Sequence, residues 1–424
     1  MSDRTTASAE PEMSAAEAHP QSVGELRYMA RQAILDTKGH VYGYDLLFRN
    51  APEAIFRRDA DAAVETMLDN ELLFGLDQLT KGAPAFITCN AEAITGELVM
   101  VLAPSTTILG VPASLDLSPR LVDACGTLRS RGFRISLDGF TWNERLIPMI
   151  QQADYIRTDF RNFGPAEREH IDKLGLNPIS LVAQKVETQD DYQHALVNGF
   201  TLFQGGYLCD PVVLKKRKVP ANRLFHFDIV RELYHDPIDI RKISQLLRSD
   251  ASLTFRLLRL VNSPIYALRQ EVRSIETAIM ILGEEAFRRT ITLAILSEMN
   301  SEQPVEILHM GLLRARFCEL AARIFQQDPA EQYLLGLFSL LPVMLRVPME
   351  EIVPCLPLRG QICEALTGAE NAERSLLSWI EAHERGNWPA CDRIASAHGL
   401  HSSQLMVWYE EALIWAASAT PGMS

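Results

Sequence analysis

The stretch at residues 43–49 is an apolar, strand-like run that contains one carboxylate and ends in an arginine. An acid and a cation at the end of one strand suit a site that binds a metal ion or a phosphate group. Other strand-like runs also end in polar residues. The strand-end residues are Asp45, Asn90, Asp138, Asp159, Gln184 and Gln204. They could equally be helix caps and turn residues, and an isolated run of this length could be an ordinary buried strand.

The elements that must position these residues are eight strand-like runs alternating with amphipathic helical stretches. The predicted strands are residues 31–36, 41–48, 85–90, 107–111, 134–138, 155–159, 179–185 and 202–207. The predicted helices are residues 61–79, 119–131, 143–153 and 189–198. This alternation predicts a (β/α)8 barrel of the TIM type, in which the C-terminal strand ends converge. A tight turn at residues 38–40 is expected to replace the first helix.

Beyond residue 222 the strand pattern stops and helical periodicity continues, which predicts an all-helical second domain. The predicted helices are residues 227–234, 238–247, 253–261, 275–282, 285–296, 307–325, 331–345, 350–356, 360–366, 373–383, 388–398 and 403–417. The predicted organisation is a disordered tail at 1–24, the barrel at 25–212, a linker at 213–222 and the helical domain at 223–424. The linker contains the basic run 215–218.

Composition narrows the functional classes. The formal net charge of −13 disfavours broad nucleic-acid binding, which needs excess lysine and arginine. No run of about 18 apolar residues or secretory signal is evident, so we expect a cytoplasmic protein without a membrane span. The seven cysteines form no CxxC pair, which favours reduced cysteines over disulfides or a zinc site.

Six short motifs occur in the order found in the EAL domain family, which comprises cyclic di-GMP phosphodiesterases and non-catalytic relatives. The resemblance covers about residues 27–212. The motifs are Asp45-Leu46-Leu47-Phe48-Arg49, Phe86-Ile87-Thr88-Cys89-Asn90, Asp138-Gly139-Phe140, Arg157-Thr158-Asp159, Ala183-Gln184-Lys185-Val186-Glu187-Thr188 and Gln204-Gly205-Gly206-Tyr207. Family members use two divalent cations, held by carboxylates and an asparagine, to activate water and neutralise the phosphate. The resemblance therefore implies such a site at the strand ends.

Several positions depart from the family pattern. Asp45 replaces a glutamate and is one methylene shorter, and Gly110 stands where a metal-binding glutamate is expected. Gly139 stands at the position of the second aspartate of a pair, Arg157 at that of the catalytic lysine, and Gln184 at that of a glutamate. Arginine is a poor substitute for lysine because its planar group stays charged. We therefore predict no catalytic residues, no cofactor and no bound metal.

Binding without hydrolysis is a separate question. Arg49 and Gln204 match positions that contact phosphate and guanine in the family. The ligand positions that survive are Asn90, Asp138, Asp159 and Glu187. Without metal ions these acids would repel a dianionic dinucleotide. Two interpretations stay open, a barrel kept as a scaffold and a sensor that binds cyclic di-GMP without cleaving it.

The helical half resembles the HDOD family, a signalling module related to HD phosphohydrolases, over about residues 221–424. The residues that carry this resemblance are Asp250-Ala251-Ser252-Leu253, Leu258 and Asn262-Ser263-Pro264. HD enzymes hold metals with an adjacent His-Asp pair, and residues 336–341, where one is expected, contain none. A lone histidine such as His309 is interpreted as structural. This half is therefore predicted to be an interaction surface.

Seven basic residues lie between positions 241 and 273. They are Arg241, Lys242, Arg248, Arg256, Arg259, Arg269 and Arg273. Arg256 and Arg259 could share a helix face that meets an acidic partner, although a solvated face is the commoner explanation. Taken together, the sequence predicts a catalytically inactive regulator of bacterial signalling that binds signalling proteins through its HDOD half. The alternatives are a weak cyclic di-GMP phosphodiesterase and a non-hydrolysing cyclic di-GMP sensor.

Overall fold

The computed structural model describes most of the chain. The described residues are 28–49, 76, 80–96, 98–175, 178–208, 219–235, 237–262, 266, 272–301 and 303–419. Three predicted features lie outside them: the tail at 1–24, the basic run at 215–218, and the helix at 61–79 apart from Leu76.

The N-terminal half is a closed eight-stranded barrel, as predicted, with its strands in sequential order. Its strands are β1 (Tyr28–Asp36), β2 (Val41–Arg49), β3 (Ala85–Thr88), β4 (Thr107–Pro112), β5 (Arg134–Asp138), β6 (Tyr155–Asp159), β7 (Ser180–Gln184) and β8 (Leu202–Gln204). Strand β1 is antiparallel to both β2 and β8, whereas the other neighbouring pairs are parallel. The barrel is thus a variant of the TIM type that begins with a hairpin.

The predicted tight turn after β1 is confirmed. The Asp36 carboxylate accepts hydrogen bonds from the N–H groups of Lys38 (2.8 Å) and His40 (2.9 Å). Gly39 has a φ of +80°, a conformation in which a side chain is strained. These local bonds let β1 reverse directly into β2 without a helix.

Helices follow the strands of the barrel. They are α1 (Ala91–Thr95), α2 (Pro119–Ser130), α3 (Ile147–Ile150), α4 (Pro165–Asp172) and α5 (Gln189–Val197). Helix α4 was not predicted, because its apolar positions are few and only Ile171 is buried. The strand predicted at 202–207 ends at Gln204, since a 3-10 turn, Gly206–Leu208, follows it.

The barrel interior contains an apolar layer topped by a polar one. The apolar layer consists of Ile34, Phe86, Ile108, Tyr155, Val182 and Leu202. Inward-facing side chains recur every second residue along a strand. The next inward-facing layer therefore lies two residues further toward the C-terminal end of each parallel strand. Its members are Thr88, Gly110, Arg157, Gln184 and Gln204, with Asp138 on β5 beside them. The strand period alone thus places the polar residues in one layer.

The C-terminal half is all-helical, as predicted. Its helices are α6 (Ala221–Leu233), α7 (Ile240–Arg248), α8 (Ala251–Val261), α9 (Ile275–Leu282), α10 (Glu284–Met299), α11 (Val305–Ala321), α12 (Pro329–Phe338), α13 (Leu341–Leu345), α14 (Met349–Ile352), α15 (Gly360–Leu366), α16 (Ser375–Glu384), α17 (Trp388–Ala397) and α18 (Ser402–Ala419). Helix α11 is the central one and buries side chains on all its faces. It packs against α12, α16 and α18.

One predicted helix, residues 331–345, is divided in the structure. Helix α12 stops at Phe338 and α13 starts at Leu341. Pro342 at the start of α13 has no N–H to continue the α-helical ladder, which accounts for the interruption. Within the described part of the chain no single helix is long and apolar enough to cross a membrane. One sharply bent pair, Pro329–Leu345 with Met349–Cys355, passes that test by length and composition only.

Helices α11 and α12 approach closely at Gly336. A Cβ atom on Gly336 would lie 2.5 Å from the carbonyl oxygen of Arg314, which belongs to the backbone and has no free rotation. We expect Gly336→Ala to lower the free energy of unfolding by about 1–3 kcal/mol through overpacking. Urea unfolding measures the change. The control is Gly311→Ala on α11, where the nearest atom would be 3.5 Å away. Equal losses in the two variants would contradict the expectation.

Candidate functional site at the barrel mouth

Arg157 lies at the centre of the polar layer with no solvent exposure. Its guanidinium forms ion pairs with Asp45 of β2 and with Asp138 of β5, the latter at 3.2 Å between Nη1 and Oδ2. Nη2 also donates a hydrogen bond to Gln204 Oε1, at 3.1 Å. The positive group is therefore flanked by two buried carboxylates from different strands. A buried charge needs this kind of compensation, because its desolvation is otherwise very unfavourable.

Gln204 connects this ion-pair cluster to neighbouring strands. Its Nε2 donates to Asp45 Oδ2 (2.7 Å) and to Gln32 Oε1 of β1 (2.6 Å). Its Oε1 accepts from Arg157 and, at 3.4 Å, from Gln184 Nε2. Both ends of the Gln204 amide are thus engaged within the protein.

Asp138 is fixed by partners on both sides. Ser136 Oγ donates to its Oδ1 (2.7 Å), and Thr88 Oγ1 donates to its Oδ2 (3.3 Å). Burial by itself lowers the pKa of Arg157, but Asp138 and Asp45 outweigh that effect and raise its pKa above the usual value. Arg157 is therefore a permanent cation that cannot act as a proton acceptor.

The structure brings together five of the predicted site residues, which are Asp45, Asp138, Arg157, Gln184 and Gln204. Sequence reasoning missed Gln32, Thr88 and Ser136, which bond to this group. Their signal was available in the strand period. Each of these three residues lies two positions from a residue already assigned to the barrel interior or to the site.

Asn90 and Asp159, also predicted for the site, form local hydrogen bonds instead. The Asn90 side-chain oxygen accepts from Ala93 N–H (2.6 Å) and caps α1. Asp159 accepts from Arg161 N–H (3.2 Å) and forms an ion pair with Lys185 Nζ (3.3 Å). These are the cap and turn roles that the strand-end pattern left open.

Two further predicted positions, Gly139 and Glu187, contribute no side chain to the group around Arg157, and a third, Arg49, is described only in its backbone. Gly139 has no side chain and a φ of +66°. Glu187 is exposed and lies beside Gly206, where an added Cβ would be 2.6 Å from its Oε2. The backbone of Arg49 belongs to β2, but its side chain lies outside what the structure describes.

The space at Gly110 is occupied by a neighbouring residue. A Cβ atom there would lie 2.4 Å from Asp138 Oδ2 and 3.2 Å from the Ile87 carbonyl oxygen. Asp138 thus leans over the position from which the family resemblance expects a glutamate to reach the metal. A side chain at residue 110 would have to displace it.

A pair of divalent cations, which the resemblance implies, does not fit these residues. Cation binding needs several oxygen donors at closely defined distances. Here Asp45 and Asp138 share one guanidinium, and the Asn90 oxygen caps a helix. Among the described residues, no group of three or more His, Cys, Asp or Glu side chains is arranged to hold a metal ion.

We expect Asn90→Ala to act on stability as the loss of a helix cap. The free energy of unfolding should fall by about 1 kcal/mol, because the Ala93 N–H loses its acceptor. Asn90→Ser keeps a capping oxygen and is expected to retain most of the stability. Chemical denaturation of the two variants measures this. Equal losses for alanine and serine would contradict a capping role.

The helical half contains one adjacent His-Asp pair, His235-Asp236, away from the position that the HDOD resemblance indicates. His235 is exposed, and Asp236 lies outside the described residues. His309, by contrast, is fully buried and accepts a hydrogen bond from Arg31. Burial, together with the positive charges of Arg31 and Lys81, lowers the pKa of His309 well below its usual value. His309 is a neutral acceptor in the interior of the protein.

The basic stretch of the helical half is partly neutralised. Lys242 pairs with Glu232 (2.5 Å), Arg248 with Glu276 (2.6 Å), and Arg256 with Glu298 (2.5 Å). At least three of the seven basic residues therefore already have acidic neighbours within the described part of the chain. This favours the interpretation of a solvated face over a dedicated surface for an acidic partner.

Comparison with known proteins is consistent with this division into two halves. The HDOD domain model matches residues 220–347, inside the helical half. The matched segment lies in the helical half that follows the closed eight-stranded barrel.

Two curated bacterial proteins are similar over nearly the whole length. The uncharacterized protein YuxH of Bacillus subtilis is 29% identical over 400 residues, which cover 92% of this chain and 97% of YuxH. The cyclic di-GMP phosphodiesterase CdgJ of Vibrio cholerae is 28% identical over 400 residues, covering 92% of each chain.

Solved structures with similarity include EAL proteins. BlrP1 of Klebsiella pneumoniae, in a manganese and cyclic di-GMP complex, is 20% identical, with a TM-score of 0.34, over 43% of this chain and 55% of its own. An EAL domain protein of Listeria monocytogenes is 15% identical, also with a TM-score of 0.34, over 43% of this chain and 87% of its own.

Proposed function

We propose that this protein is a non-catalytic regulator of bacterial signalling that acts through protein–protein contacts, with the barrel as a scaffold. The observation that carries the proposal is the position of Arg157. Its guanidinium is buried between Asp45 and Asp138 and supplies the positive charge that a metal ion would supply in an EAL enzyme. The carboxylates are therefore neutralised from within the chain.

The donor set also gives no means of activating water. Metal-dependent phosphodiesterases lower the pKa of a bound water, or use a nearby base to remove its proton. Arg157 stands at the lysine position and stays protonated at all physiological pH values. Gly110 and Gly139 have no side-chain donors. Hydrolysis of a phosphodiester is not supported by these residues.

The relative CdgJ, whose name is that of a phosphodiesterase, provides the reason to keep a second candidate. The second candidate is a sensor that binds cyclic di-GMP without hydrolysing it, or else a weak cyclic di-GMP phosphodiesterase. Gln204, the guanine-contact position of the family resemblance, has both amide atoms bonded to Asp45, Gln32, Arg157 and Gln184. A nucleotide would have to displace those bonds, which favours the scaffold.

Turnover and binding of cyclic di-GMP test the proposal directly. The full chain at micromolar concentration is incubated with cyclic di-GMP and Mg²⁺ or Mn²⁺, and products are separated by chromatography, with CdgJ as the positive control. We expect no product and no heat of binding in calorimetric titrations with either metal or the dinucleotide. Product formed by this chain would overturn the proposal. Binding without product would favour the sensor.

The proposed protein contacts need a separate measurement. The full chain is used to capture proteins from native cytosol, and each captured protein is then purified and titrated against it. We expect at least one partner to bind with a dissociation constant in the micromolar range or below, about −8 kcal/mol or more favourable. Substitutions on the exposed faces of the helical half should weaken that binding. Barrel-interior substitutions that preserve the fold should leave this contact surface of the helical half in place.

A further inference from the structure

The outer face of the β1–β2 hairpin is covered by the helical domain. In a (β/α)8 barrel each strand is normally covered by the helix that follows it, but only a turn separates β1 from β2. Arg31 on β1 and Tyr44 on β2 are nevertheless buried, with exposures of 7% and 2%. Their cover comes from the C-terminal half, because α16 packs against β1 and α11 supplies the polar partners.

The polar part of this contact joins two barrel residues to two residues of α11. Tyr44 Oη donates to Glu306 Oε2 (2.9 Å), and Arg31 Nη2 lies 3.6 Å from Glu306 Oε1. Arg31 also donates to His309, and its guanidinium carbon lies 4.5 Å from the centre of the Tyr44 ring. Because these groups are buried, each depends on the other half of the chain for its partner.

Apolar contacts extend the same interface. A Cβ atom on Gly386, between α16 and α17, would lie 3.2 Å from Leu47 Cδ1 of β2. At the hairpin turn, a Cβ atom on Gly39 would lie 3.2 Å from Pro304 Cγ, just before α11. The helical domain therefore touches the hairpin at its turn and along β2.

The other face of the same two strands carries the cluster around Arg157. Gln32 follows Arg31, and Asp45 follows Tyr44, so in each pair one side chain faces outward and the next faces inward. Gln32 and Asp45 lie opposite each other in the β1–β2 register. Gln204 Nε2 bonds to both of them. The hairpin is thus a single layer between the polar cluster inside the barrel and the helical domain outside it.

We propose that the β1–β2 hairpin is a coupling element, through which a change in the hydrogen bonds of Gln32, Asp45 and Gln204 alters the packing of α11 on the barrel. The connection runs from the inward residues through one strand to Arg31 and Tyr44, and from these to Glu306 and His309. It works in both directions, because coupling between two sites is reciprocal. The proposed coupling does not depend on whether the barrel is a scaffold or a sensor.

Hydrogen exchange on the full chain tests the coupling from the inside outward. Gln32→Leu removes one of the two acceptors of Gln204 Nε2 and leaves the other, Asp45, in place. We expect amides at residues 305–313 of α11 to exchange about twofold faster or more, which corresponds to the lower end of the interaction energies found within a shared network. The control is Thr107→Val on β4, a buried residue whose hydroxyl has no hydrogen-bond partner. It should leave α11 unchanged.

The reverse direction uses Tyr44→Phe, which removes one hydroxyl and keeps the ring, so that the variant is expected to fold. Loss of the bond to Glu306 should speed exchange at β8 and at Gln184, inside the barrel. Faster exchange at both remote sites supports the proposal. If Gln32→Leu changes only β1 and β2, and Tyr44→Phe changes only α11, the hairpin insulates the two sides and the proposal is wrong. Should Gln32→Leu fail to fold, the Tyr44→Phe result decides.

Discussion

Replacing Arg157 with methionine is expected to lower the free energy of unfolding by about 3–5 kcal/mol. Methionine preserves much of the side-chain length but removes the charge. Asp45 and Asp138 would then be two buried carboxylates without their shared counter-ion. Denaturant unfolding of the full chain, followed by circular dichroism, measures the loss. Arg129→Met is the matched control, because its ion pair with Asp154 is partly exposed and should contribute about 1 kcal/mol or less.

The same variant has a second signature, in its pH dependence. Without Arg157 the folded chain should take up protons on Asp45 and Asp138 at a higher pH than the unfolded chain does. A group that binds protons more tightly in the folded state stabilises that state as the pH falls. The stability gap between Arg157→Met and the parent chain should therefore narrow from neutral pH toward roughly pH 5. A gap that widens over this range would contradict the assignment of Arg157 as counter-ion.

Removing the acids together with the cation separates charge from packing. Adding Asp45→Asn and Asp138→Asn to Arg157→Met leaves no charged member in the ion-pair cluster, so most of the lost stability should return. If the triple variant is as unstable as Arg157→Met, the loss comes from packing around Phe86, whose ring lies 5.3 Å from the guanidinium carbon, and not from the unpaired charges.

Much of the barrel could be predicted because its signals are local. Strand periodicity and helix caps are written in neighbouring residues, and the turn at Asp36 needs only bonds within five residues. The departures at Gly110 and Arg157 were also visible in the sequence. What the sequence did not indicate is that the guanidinium of Arg157 neutralises the carboxylates that other strands contribute to the site. That conclusion needs the distance from Arg157 to Asp45 and Asp138, which come from strands far apart in the chain.

The position of the helical domain could not be predicted from the same patterns. The sequence predicts Arg31 and Tyr44 as ordinary strand residues and His309 as a residue of the helix at 307–325, with Glu306 just before that helix. Their pairing across more than 260 residues is a tertiary contact with no local signature. Asn90 and Asp159 failed as members of the group around Arg157 for the opposite reason. Their nearest partners are in their own loops, and local bonding took precedence over convergence at the barrel mouth.

Restoring the expected glutamate at residue 110 is predicted to destabilise the protein and to leave it inactive. Even the first atom of the new side chain would lie 2.4 Å from Asp138 Oδ2. The rest would bring a third carboxylate next to Asp45 and Asp138, which among the described side chains share the single guanidinium of Arg157. Gly110→Glu combines overpacking of about 1–3 kcal/mol with a buried unpaired charge, so we expect a loss of about 3–5 kcal/mol or more. Thermal and urea unfolding measure it, alongside turnover of cyclic di-GMP with Mn²⁺.

Two alanine variants divide that loss into its parts. Gly110→Ala introduces only the steric conflict with Asp138, so the difference between the alanine and glutamate variants reports the added charge. Gly139→Ala is the control for the alanine change itself, because its Cβ would meet no atom within 4 Å, although its φ of +66° makes a side chain strained by about 1–2 kcal/mol. Stable, metal-dependent turnover by Gly110→Glu would show that one missing ligand, rather than the guanidinium of Arg157, is what keeps the barrel from acting as an enzyme. Instability of Gly110→Glu without turnover would instead support the guanidinium as the permanent occupant of the site, since a single restored carboxylate cannot displace it while Asp45 and Asp138 both pair with it.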